Sequence, residues 1–156
     1  MYTKSNHRHR GGGDGAQISP SSLAAEAWTA FTPTLTQSGA VTVTVTRARY
    51  MLMGKTAVVQ IALIVTGSGT AGNDITIGSI PAAIAPLSPG ANTCIVGVGM
   101  IQDAGTINYG GLTAIAPTAS TVYFQPYNTS TRIGANPSFA LAVNDIISCQ
   151  LVYEIA

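Results

Sequence analysis

The sequence holds 156 residues, enough for one domain with a sizeable core. Charged residues make up 8% of it, against about 25% in an average soluble domain, while apolar residues make up 46% and the net charge is +1. These values exclude a disordered chain, which needs high charge and low hydrophobicity, and a nucleic-acid domain held by many phosphate contacts. So little charge also predicts a body partly covered by identical subunits, because an uncharged lone surface self-associates.

Residues 1–15 carry three of the seven basic residues (Lys4, Arg8, Arg10), both histidines (His7, His9) and the run Gly11-Gly12-Gly13-Asp14-Gly15. Nothing there can build a core, so the segment reads as a flexible basic arm with a glycine hinge. Its cations suit an acidic partner surface and are too few for strong nucleic-acid binding. Residues 16–30 read as a short helical junction. Ser19 is placed to cap, Pro20 fits the first helical position, and Leu23 to Ala27 are good helix formers.

From Phe31 the period changes to two. Val41 to Thr46 alternates strictly, with the valines on one face. Tyr50 to Met53 and Thr56 to Thr66 read as strands around a turn at Gly54-Lys55. A glycine-rich hairpin loop, Gly67 to Asn73, precedes a short strand from Asp74 to Gly78. Ile80 to Pro89 holds three prolines and reads as loop or edge. Thr93 to Ile101 is a strand whose Gly97 and Gly99 mark close backbone approach. Thr106 to Tyr109, Gly111 to Ala116, Thr121 to Tyr127, Phe139 to Val143 and Ile146 to Ile155 complete the set, with a polar loop from Asn128 to Pro137. Nine or ten short strands separated by turn signals predict an all-β fold: an antiparallel, jelly-roll-like β-sandwich over residues 31–156.

The chemistry-bearing residues are sparse. Residues 31–156 contain no histidine, which removes Ser-His-Asp and Cys-His schemes there. Asp74, Asp103 and Asp145 sit in turn contexts, where a short acceptor binds nearby backbone. Gly67-Ser-Gly-Thr-Ala-Gly72 matches a dinucleotide fingerprint, but strand-like residues follow it where a helix is needed. The expectation is a protein that is not an enzyme. Cys94 and Cys149 lie in apolar strands and read as buried free thiols. No run is long and apolar enough to span a membrane as a helix, and no apolar leader opens the chain, so the expectation is cytoplasmic synthesis without membrane insertion.

Two constellations remain. His7 and His9 face the same way in an extended chain, and three parallel copies bring six imidazoles together, a set for one octahedral transition-metal ion. Trp28, Tyr109, Tyr123 and Tyr127, with Asn128 and Thr129 nearby, have the composition of a sugar-binding platform, and alternation places Tyr123 and Tyr127 on one strand face.

Several stretches resemble one family together: His7-Arg-His-Arg-Gly-Gly-Gly-Asp-Gly15, Ala27-Trp-Thr-Ala-Phe-Thr-Pro-Thr-Leu-Thr36, Ala48-Arg-Tyr50 with Gly54-Lys-Thr-Ala-Val-Val59, Ile80-Pro81, and Asn144-Asp145 with Tyr153-Glu-Ile-Ala156. They are similar to small virion structural proteins of tailed bacteriophages, of the minor-tail, tail-fibre-tip and head-fibre kind. The resemblance implies a homotrimeric β-sandwich head on the virion surface. It would be assembled in the host cytoplasm and anchored to other virion proteins by the arm (Lys4, Arg8, Arg10, Gly11 to Gly13). A tail fibre or tail tip that binds host glycan through Tyr109, Tyr123, Tyr127 and Asn128 is the leading reading. A capsid decoration or head-fibre protein is the alternative, and a jelly-roll coat protein a third. His-x-His motifs bind iron in some phage fibre stems, which makes His7 and His9 the metal candidates; no other cofactor is expected.

Overall fold

The computed structural model describes residues 27–90 and 94–156. They form ten strands, all paired antiparallel: β1 (Thr29–Ala30), β2 (Thr34–Gln37), β3 (Gly39–Val41), β4 (Val43–Met53), β5 (Thr56–Val65), β6 (Thr76–Gly78), β7 (Ile95–Asp103), β8 (Ile107–Thr118), β9 (Thr121–Gln125) and β10 (Ile146–Glu154). One turn of 3-10 helix, Ala82–Ile84, lies between β6 and β7. The all-β, sandwich-like expectation holds, with one refinement. Both layers belong to a single sheet in the order β1-β4-β5-β10-β7-β8-β9-β6-β2-β3.

The sheet curls because its long strands carry extra residues. β4 gains Thr46 against β5, β7 gains Val96 against β8, and β8 gains a residue at Gly110-Gly111 and another at Ala116-Pro117. A bulge bends a strand and increases its twist, so four of them fold a wide sheet back on itself. Inward residues of both halves then share one core, including Leu63, Ile77, Ile101, Phe124, Ile147 and Leu151. The halves approach closely at β7. A Cβ on Gly99 would run into the Phe124 ring from β9, and one on Gly97 into the Gln150 carbonyl of β10. The close approach read at these two glycines is therefore met.

Several boundaries differ from the sequence reading. Residues 29–30 pair with β4 as a strand, so the body starts before residue 31 and the described end of the junction is not helical. Residues 1–15, and residues 16–26 of the helical junction, lie outside the described residues. The Val41 to Thr46 run is split at Thr42, where the chain passes from one end of the sheet order to the other. Thr66 N and Gly67 N both donate to the Thr42 carbonyl and pin that joint. The glycine loop is not a hairpin, because β5 and β6 are not neighbours; it arches between the layers. Thr106 to Tyr109 and Gly111 to Ala116, read as two strands, fall on one bulged strand, β8, which starts at Ile107. Phe139 to Val143 forms no ladder, because side chains take over its backbone groups: Gln37 Oε1 accepts from Leu141 N and Gln37 Nε2 donates to the Phe139 carbonyl. β9 stops at Gln125, short of Tyr127.

Candidate functional site

The broadest feature is the outer face of β4, β5, β10 and β7. The register places side chains in rows across it: Met51, Val58 and Val152; then Arg49, Gln60, Gln150 and Val98; then Arg47, Ala62, Ser148 and Met100. A shallow groove of about 470 Å³ crosses the middle, lined by Arg47, Gln60, Ala62, Val98, Met100 and Gln150 among others. Val98 is 61% exposed and Val152 is 52% exposed. Only Arg47, Arg49 and Glu154 carry charge among the outward residues of these strands.

Trp28 marks where the chain enters this face. Its ring lies 4.4 Å from the Arg49 guanidinium, whose Nε and Nη2 both donate to Gln60 Oε1, at 3.1 and 2.9 Å. Indole, guanidinium and amide thus form one fixed row from the sheet edge toward the groove. Arg47, two residues along, has no acidic partner among the described residues.

Arg132, Asp74 and Asp145 hold loops. Arg132 pairs with Asp74 at 2.7 Å and lies 3.9 Å from the Tyr123 ring centroid. Asp145, fully buried, accepts from Ala104 N and Ala142 N, both at 2.8 Å. Its turn-acceptor reading is met, and it ties the β7–β8 turn to the segment before β10. Asp74 is instead an ion-pair partner.

The sugar platform does not form as a unit. Tyr123 is 1% exposed beneath Arg132, while Tyr127 is 91% exposed. Alternation gave them a shared fate, but the chain leaves the strand between them. Tyr123 is thereby corrected from a glycan contact to a core residue. Tyr109 stacks on Phe139 at 4.9 Å, and burial together with the Asp103 charge pushes its phenol above the usual range. Asn128 lies exposed beside Tyr127.

Both cysteines are free; Cys149 is buried and Cys94 half-buried. Among the described residues, no three His, Cys, Asp or Glu side chains gather closely enough to hold a metal ion, and no helix is long and apolar enough to cross a membrane. His7, His9, Lys4, Arg8, Arg10 and Gly11 to Gly13 lie outside the described residues.

The outer face was missed as a site, yet it had a signal. Ala57 to Val65 is apolar at nearly every position, and a strand with one wet face alternates. Its outward Val58, Ala62 and Ile64 depart from that alternation. No family model, curated protein or solved structure matches the chain.

Proposed function

We propose that the protein is a non-catalytic structural subunit of a tailed-phage virion surface: a homotrimeric β head anchored to other virion proteins through residues 1–15. The observation that carries this reading is the outer face of β4, β5, β10 and β7, wide, with few charges and exposed apolar side chains in every row, on a body of stiff paired strands. Such a face favours assembly over life as a lone chain. The family resemblance adds the virion setting.

Within that reading, a tail fibre or tail tip with Tyr127 and Asn128 as its exposed host-glycan contacts comes first. A capsid decoration or head fibre is the second reading, and one observation favours it: Tyr123 is withdrawn into the core, which leaves the sugar platform incomplete. In either position, three arms bring His7 and His9 to six imidazoles around an axis, a set for one transition-metal ion.

Immunogold electron microscopy of particles that encode this gene tests the reading. Label at the distal end of the tail fits the first form, and label over the capsid the second. Particles that carry the protein nowhere overturn both.

A further inference from the structure

We infer that the outer face of β4, β5, β10 and β7 is the surface through which one copy of this chain binds a second copy. This rests on the homotrimer reading above and assigns it a surface.

The first argument is pattern. Met51, Val58, Ala62, Val98, Met100 and Val152 occupy outward positions of central strands. In a half-buried antiparallel sheet those positions are polar, whereas here apolar side chains stand in every row beside Arg47, Arg49, Gln60, Gln150 and Ser148. The second argument is size. Four strands about 4.8 Å apart and about nine residues long, at about 3.3 Å each, span roughly 19 by 30 Å, or about 570 Å² before side-chain relief. That approaches the roughly 800 Å² per partner of a standard stable interface.

The third argument is charge. The described residues hold four cations (Arg47, Arg49, Lys55, Arg132) and four anions (Asp74, Asp103, Asp145, Glu154), so two bodies meet without net repulsion. On the face itself, Arg47 and Arg49 lie on β4 and Glu154 at the end of β10, with no ion pair between them. Arg49 is held by Trp28 and Gln60, which leaves one copy's Arg47 to meet another copy's Glu154. A strongly acidic or basic partner finds no matching field here, whereas a second copy supplies both the apolar area and the opposite charge.

The test is the native mass of the full chain and of three variants, with far-ultraviolet circular dichroism to confirm the fold. Val98→Asp and Val152→Asp each place an acid on the face at a side chain already half exposed, so the fold tolerates them. Ala119→Asp adds the same charge in the exposed turn between β8 and β9, away from the face. The inference predicts an assembled wild type and Ala119→Asp. It also predicts that Val98→Asp and Val152→Asp raise the concentration needed for assembly about tenfold or more. Assembled Val98→Asp and Val152→Asp beside an assembled wild type overturn the face and leave the trimer reading standing. A wild type that is monomeric at all concentrations overturns both.

Discussion

At the scale of single residues, the tightest constraints are backbone approaches and buried polar groups. Gly97→Ala and Gly99→Ala force a methyl group against the Gln150 carbonyl and the Phe124 ring. Each is expected to cost about 1–3 kcal/mol, read as a lower denaturation midpoint. The Arg132–Asp74 pair is about one-third exposed on each side, so its ion pair is worth little and the guanidinium also covers Tyr123. Arg132→Ala is expected to lower stability by only about 1 kcal/mol in the same measurement. Burial pushes the Cys149 thiol from its ordinary 9.0 up to about 12. Burial, with the charges of Cys94 and Cys149, also pushes up the Tyr153 phenol, which donates to the Ile84 carbonyl at 2.9 Å. Both groups stay protonated in the fold where the unfolded chain has begun to ionise. The thiol's stabilisation is therefore full below pH 9 and the phenol's below pH 10, and each is lost as pH rises from there, by up to about 1.4 kcal/mol per pH unit per group. Denaturation midpoints at pH 8 and pH 10.5 check this, and an unchanged midpoint contradicts it. Close approach at Gly97 and Gly99 was readable in the sequence, because glycine inside a strand signals a neighbouring backbone. The separation of Tyr123 from Tyr127 was not, since it depends on where β9 stops.

At the scale of elements, periodicity located most strands but not the joints between layers. Val41 to Thr46 alternates as one strand would, yet it serves two, because Thr42 bridges the ends of the sheet order. Phe139 to Val143 has a strand's composition and no strand's ladder, because Gln37, Asp145 and the Gly69 N–H take up its backbone groups. Gln37 Nε2 donates to the carbonyls of Asn73 and Phe139 while its Oε1 accepts from Leu141 N at 2.9 Å. Gly69 sits against that same amide, where a side chain has no room, and its N donates to the Leu141 carbonyl. The glycine-rich loop thus owes its composition to packing over Gln37, in a sequence segment that also imitates a phosphate-binding motif. Gln37→Ala leaves a buried amide N–H and two carbonyls unpartnered, and is expected to destabilise by about 2–3 kcal/mol. It should also speed hydrogen exchange at the Leu141 amide relative to the β5–β10 ladder. Equal acceleration at both would mean that Gln37 clamps nothing locally.

At the scale of the whole molecule, low charge and curled topology describe one property. Among the described residues, Asp74, Arg132 and Asp145 hold loops, and the outer face of β4, β5, β10 and β7 carries apolar side chains among its arginines and amides. Composition alone predicts that such a body is covered; the surface proposed above could be drawn only from strand order, because β10 and β7 lie beside the β4–β5 pair in space and far from it in sequence. The most direct test is the native mass of the full chain across a concentration series. The account predicts a species of three times the 15.9 kDa chain mass. A single-chain mass at every concentration would contradict it.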